Sequence, residues 1–260
     1  MKKLICYCCA ALALVSCSGS YNSTRLLQGG SKVAQAMMVS DAEIKSYVTQ
    51  SVAQLDAQNT VLTSGNYVTR LNRITKGLTS VDGTPLNFKV YKTAEVNAFA
   101  CADGSVRVYT GLMDVMSDNE VLGVIGHEIG HVALQHTLNA YKQSLYSSAA
   151  MDAVASTGNV AAALTDSVLG QLAQEMINAR YSRKQETQAD DYGYSFLVGQ
   201  GKNPYYMAMA FEQLQKTSGE GTAIQTASIA NLFSSHPDTA SRIERVNKKA
   251  SKDGYTRPEK

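Results

Sequence analysis

Residues 121–136 read VLGVIGHEIGHVALQH and hold three of the four histidines in a chain of 260 residues. This segment constrains the fold more than any other. His127 and His131 stand four apart in an apolar run, and on a helix residues i and i+4 share a face about 6 Å apart along the axis. Two imidazoles so placed converge on one small cation. Glu128, between them, stands beside such a cation rather than on it, where it can take a proton from a water that the metal has acidified. This is the H-E-x-x-H pattern, which a shuffled chain of this composition would almost never contain. Gly126 and Gly130 flank the pair. Each costs about 1 kcal/mol of helix stability against alanine, which is reasonable where another segment or a substrate must come close.

Such a helix must be buried, and its site is incomplete. A catalytic zinc site takes three protein ligands and an open fourth position. The stretch YSRKQETQADDYGYSFL, residues 181–197, offers Glu186 and Asp190, again i and i+4. Spacing alone leaves two readings open. They are a solvated acidic face, or a third ligand (Glu186) with Asp190 accepting the free ring N–H of a liganding histidine. His136, five residues beyond His131, falls about 140° around the helix, so it cannot share the metal face unless the helix has ended, and it reads as structural. Ser117-Asp118-Asn119-Glu120 is a capping-box pattern that starts the motif helix.

Upstream, residues 41–56 and 66–79 read as amphipathic helices, NFKVYK as a strand, and EVNAFACADGSVRVYTG as a hairpin around Asp103-Gly104. On the strand, Val96, Ala98 and Ala100 face one way and Asn97, Phe99 and Cys101 the other.

The opening MKKLICYCCAALALVSC has a basic start and an apolar stretch too short to span a bilayer. It ends in Leu-Val-Ser-Cys, which resembles the lipobox of bacterial lipoproteins. Residues 1–16 then form a signal peptide, Cys17 is the lipidated residue, and 17–40 are a Ser/Gly/Gln/Asn-rich tether. Residues 41–250 are the folded domain and 251–260 a polar, frayed tail. Removing 1–16 takes two lysines and no acid from a formal charge of +2, leaving zero, so nothing suggests a nucleic-acid partner. Of five cysteines only Cys101 then remains free. It reads as a small buried residue.

Several ordered pieces resemble metallopeptidase family 48, the gluzincin family of the CAAX prenyl endopeptidase and the HtpX heat-shock protease. They are Asn97-Ala98-Phe99-Ala100, Thr110-Gly111-Leu112, Gly126-His127-Glu128-Ile129-Gly130-His131, Ser182-Arg183 with Glu186, Ala189 and Asp190, and Ser235-His236-Pro237 with Arg242. Cys101-Ala102-Asp103-Gly104 departs from the Pro-Gly-Gly-like turn of many members. The resemblance implies a mostly helical α+β gluzincin fold with a small sheet. It implies one zinc per chain on His127, His131 and Glu186, with Glu128 as general base. It also brings Asn97–Ala100 to the substrate as an edge strand, and the His236 loop to the metal. There His236 either donates to the oxyanion or caps the open zinc position. Arg242 either shares the electrostatic role or makes a structural ion pair.

The expected protein is a zinc metalloendopeptidase of the soluble periplasmic branch. It would be tethered by lipid to a bacterial envelope membrane, the outer one because Ser18 replaces the inner-membrane Asp signal, and would cleave unfolded or misassembled polypeptides. The alternative is an envelope assembly or chaperone-like binding factor with a latent zinc site.

Overall fold

The computed structural model describes residues 39–147, 160 and 164–259. The signal peptide, Cys17 and nearly all of the tether lie outside the described residues. Among those described, no helix is long and apolar enough to cross a membrane.

The chain opens with α1 (Asp41–Gln58), held by a capping box in which Ser40 and Glu43 satisfy each other's backbone N–H. β1 (Val61–Leu62) and α2 (Asn66–Ile74) follow. The second helix stops five residues short of the expected 79. The Thr75 hydroxyl bonds back to Leu71 O, Gly77 adopts φ +87°, and a two-stranded hairpin begins at once. That hairpin, β2 (Ser80–Val81) and β3 (Thr84–Pro85), turns on Asp82-Gly83 and was not anticipated.

The main sheet has the order β1-β4-β6-β5, with β4 (Asn87–Tyr91), β5 (Ala98–Ala100) and β6 (Ser105–Tyr109). β4 and β6 run parallel, and the other pairs antiparallel. The β5–β6 hairpin is the one expected. Its atypical turn closes with Gly104 N–H donating to Cys101 O and the Asp103 carboxylate accepting from Ser105 N and Oγ.

Helices cover both faces of the sheet. Ala98, Ala100, Val106 and Val108 enter the larger core. There they join α4 (Asp118–Ala133), α7 (Arg183–Gly199), α8 (Tyr205–Glu220) and α10 (Thr239–Lys252). Tyr91, Phe99, Cys101 and Tyr109 enter a second core with α1, α5 (His136–Ser147) and α6 (Asp166–Ile177). The alternation along β5 therefore divides its side chains between two cores. In the second layer Arg107, 2% exposed, is neutralised by Asp56 at 2.8 Å, which also takes Lys89 and the Tyr91 hydroxyl. α3 (Thr110–Val115) leads from β6 to α4, and α9 (Ala223–Ser235) lies between α8 and α10.

Residues 253–259 depart from the frayed tail expected. Tyr255 packs on the larger core, Asn203 Nδ2 donates to Thr256 O, and Arg257 pairs with Glu212.

Candidate active site

The motif helix α4 starts on Ser117, whose Oγ accepts from Glu120 N while Ser117 N donates to Glu120 Oε2 at 2.8 Å. Every residue from Glu120 to Val132 is buried. α7 crosses it closely, started by a second capping box, Ser182 with Gln185. The glycines explain the closeness. A Cβ at Gly126 would collide with the Phe196 ring, and one at Gly193 of α7 would stand 3.0 Å from the backbone N of His127. Two ligand-bearing helices thus meet backbone to backbone. Glu186 and Asp190 point inward from α7 at 1% and 0% exposure, so the face they form is not solvated.

Four side chains converge. Nε2 of His127 and Nε2 of His131 are 3.1 Å apart. Glu186 Oε1 lies 3.4 Å from His131 Nε2, and its Oε2 lies 3.6 Å from His127 Nε2. His236 Nδ1, from the residue that ends α9, stands 3.1 Å from Glu186 Oε1 and 3.4 Å from His127 Nε2. All four residues can offer ligand atoms within 4.8 Å of one another. A tetrahedral zinc with arms of about 2.0–2.1 Å has edges of roughly 3.3–3.4 Å, which these separations bracket. The donor set, imidazole nitrogens and a carboxylate, is also one that zinc favours. Buried Glu186 Oε2 accepts no hydrogen bond, although Arg242 Nη1 stands 2.5 Å away as an ion pair. The residues present fit the metal.

The outer nitrogens are engaged as well. His127 Nδ1 faces Asp190 Oδ1 at 3.1 Å. His131 Nδ1 faces His136 Nδ1 at 3.0 Å. Burial, only partly offset by the Glu186 hydrogen bond, pushes His131 well below the usual histidine range, so it is neutral as a ligand must be. His136 meets the exception that its spacing left open. The helix assumed to carry it ends at Ala133, Gln135 takes φ +58°, and His136 opens α5 in a new direction. It stays out of the metal group but orients one of its members. Tyr181, just before the α7 cap, also escaped sequence reasoning. Its ring stacks on His131 at 3.9 Å and 27°, and nothing in its spacing signals this.

Glu128 lies outside the ligand group. Burial raises its carboxyl, partly offset by the charges of His236 and His127 and by the facing Ala100 backbone N–H. Its Oε1 is 4.0 Å from His236 Nε2. Arg242 touches the ligand group through Glu186 and is anchored behind it. Its Nε and Nη2 fork onto Asp190 at 3.0 and 2.7 Å, and its guanidinium lies over Phe211. The ion pair with Asp190 is present, and Arg242 also lines the pocket that holds Glu128 and His236, so both readings of Arg242 fit this geometry.

The expected substrate strand is the sheet's free edge. Asn97 O accepts from Tyr109 N and Cys101 N donates to Ser105 O. Residues 97, 99 and 101 therefore bond inward, while Ala98 and Ala100 turn their backbone groups out. Phe99 packs into the second core and offers no contact surface. Cys101 is 2% exposed, and burial holds its thiol well above the ordinary range, which suits an inert residue.

A model of peptidase family M48 matches residues 67–250. The chain belongs to this family. It is 38% identical over 246 residues to the metalloprotease LoiP of Escherichia coli (strain K12), covering 94% of each chain. It is 39% identical over 249 residues to the metalloprotease YcaL of the same strain, covering 94% of this chain and 95% of that one. A protease HtpX homolog of Bacillus licheniformis is 26% identical over 264 residues. This M48 member is accordingly a metalloprotease with the mostly helical gluzincin fold, dependent on a metal ion and acting on polypeptides.

Proposed function

We propose that this protein is a zinc endopeptidase of the bacterial cell envelope. It is anchored by lipid on Cys17, on the periplasmic side of the outer membrane, and it cleaves unfolded or misassembled chains. One observation carries the catalytic reading. Glu128 adjoins His127 yet stays outside the ligand group, and it faces a free sheet edge through the Ala100 N–H. An extended polypeptide adding to that edge is held by backbone bonds to Ala98 and Ala100, which favours substrates already unfolded and makes side-chain selection secondary. Glu128 takes a proton from the attacking water and delivers it to the leaving amine. Zinc held by His127, His131 and Glu186 supplies the Lewis acid. Asp190 and His136 fix the rings of the two histidines, and Arg242 holds Asp190 in place. The envelope address rests on the basic, apolar opening that ends in Cys17.

The position of His236 also supports a second reading, a binding or assembly factor with a latent site. Its Nδ1 stands at the fourth corner of the ligand group, where substrate must enter. In the endopeptidase, His236 caps the site at rest and swings aside to steady the oxyanion.

One panel separates these. Glu128→Gln should abolish digestion of an unfolded protein and keep zinc, whereas Glu186→Gln should weaken zinc itself. His236→Ala should raise basal proteolysis if the residue is chiefly a cap, and lower kcat by about 10²–10³ if it is chiefly an oxyanion donor. Near-normal turnover by Glu128→Gln would overturn the endopeptidase mechanism.

A further inference from the structure

Beyond the metal group the structure holds a second feature on the same substrate edge. A cavity of about 280 Å³ opens where β5 begins. Asn97 and Tyr109 line it from the sheet, Gln174 and Asn178 from the end of α6, and Asn231 from α9, with Glu95 beside them. Hydrogen-bonding groups dominate the wall, Glu95 is its one charged side chain, and no basic residue contributes. Glu95 has no ion-pair partner among the described residues.

The cavity shares no residue with the metal group, yet it borders that site on two sides. Asn97 precedes Ala98 on the free edge, and Ser235, also in the wall, precedes His236. Leu232 lines both this cavity and the small apolar pocket against His127, Glu128 and His236. A strand advances about 3.3 Å per residue, so Asn97 lies roughly 10 Å along the edge from Ala100, whose backbone N–H faces Glu128. That span is about three residues of an extended substrate, which puts a side chain at the cavity two to three residues from a bond cut beside Ala100. An acidic side chain arriving there would meet Glu95 with no cation to offset it. A side chain rich in N–H donors would find amide oxygens and a carboxylate.

We propose that this cavity is a substrate subsite. It selects a long side chain bearing N–H donors, lysine, arginine or glutamine, over an acidic one, two to three residues from the scissile bond. The assignment rests on the endopeptidase reading for its use in turnover, but its affinity for a peptide can be measured apart from cleavage.

The test uses the zinc-loaded mature protein and unfolded peptides that differ only by Lys, Gln, Ala or Glu at each position within about four residues of one cleavable bond. Cleavage is quantified by mass spectrometry. Binding of the same peptides to Glu128→Gln is followed by fluorescence anisotropy. At one position two or three residues from the cut, Lys and Gln should exceed Glu by about fivefold, the scale of one charge pair at an exposed carboxylate such as Glu95. Glu95→Gln should collapse the Lys-to-Glu ratio toward unity in both assays. Cleavage with no ranking at any position would remove the subsite and leave the endopeptidase standing. A binding ranking without any cleavage would do the reverse, and a ranking insensitive to Glu95→Gln would place the selection elsewhere.

Discussion

Asp190 and Arg242 form a buried pair whose worth can be read by exchanging each in turn. Arg242 lies between two carboxylates, forked on Asp190 and touching Glu186, at 5% exposure. Burial works against the Asp190 carboxylate. The His127 and Arg242 hydrogen bonds and the Arg242 charge outweigh it and hold the group far below the usual range. Asp190→Asn keeps the shape and removes the charge. An amide oxygen in the Oδ1 position can still accept from both His127 Nδ1 and Arg242 Nη2, but the NH2 in the Oδ2 position then faces the Arg242 Nε–H, donor against donor. Breaking one side of a buried pair costs about 3–5 kcal/mol, or roughly 6–20 °C in Tm for a domain of this size. In an Arg242→Met background the same change removes a carboxylate that has lost its main cation and keeps only Arg245 Nη2, at 3.5 Å. There Asp190→Asn should cost about 1 kcal/mol, a coupling of about 2–4 kcal/mol.

Zinc binding adds a second readout. Without its carboxylate acceptor the His127 ring is less fixed and less basic, so zinc affinity should fall about 10–100-fold in Asp190→Asn. Urea unfolding of the four chelated proteins gives the coupling, and competition with a chromophoric chelator gives the affinity. Equal costs of Asp190→Asn in both backgrounds, together with unchanged zinc affinity, would refute the account of Asp190 as the link between Arg242 and His127.

Three further outcomes follow. His136→Ala should lower zinc affinity about 10–100-fold while His136→Asn, which keeps an acceptor, restores part of it; equal affinity in all three proteins would return His136 to a purely structural role. Burial raises the Asp56 carboxyl, but hydrogen bonds from Arg107, Lys89 and Tyr91 hold it down to about 2. A depressed carboxyl contributes stability above its unfolded pKa near 3.9 that is lost as pH falls through the folded value. Asp56→Asn should therefore cost no more than about 2 kcal/mol at neutral pH after discounting for partial exposure, with the difference vanishing near pH 2 in denaturation curves; a gap independent of pH would contradict the ion-pair account. Cys17→Ala should move the protein from the membrane fraction to the soluble one, and retention on membranes would point to another anchor.

What could be read from the chain divides along a physical line. Local chemistry was legible. The capping box at Ser117 and the i, i+4 pairs at His127/His131 and Glu186/Asp190 follow from helix geometry, whose period is the same in any fold. The glycines at 126 and 130 signalled a close approach, but not by what. Only the structure names α7, because Gly193, which completes the contact, sits in a separate segment. Tyr181 was invisible for a similar reason, since stacking on His131 depends on where the loop before α7 passes the motif helix.

His136 shows the limit most clearly. Placing it 140° from the ligands assumed an unbroken helix, and one residue in the left-handed region, Gln135, removes that assumption. Glutamine carries no marker for such a turn, unlike the glycine or asparagine that commonly ends a helix. The break is what allows His136 to come back onto the far side of His131. A fifth-residue histidine, excluded from the metal by helical arithmetic, thereby becomes the acceptor that orients a ligand, because the helix stops two residues beyond that ligand.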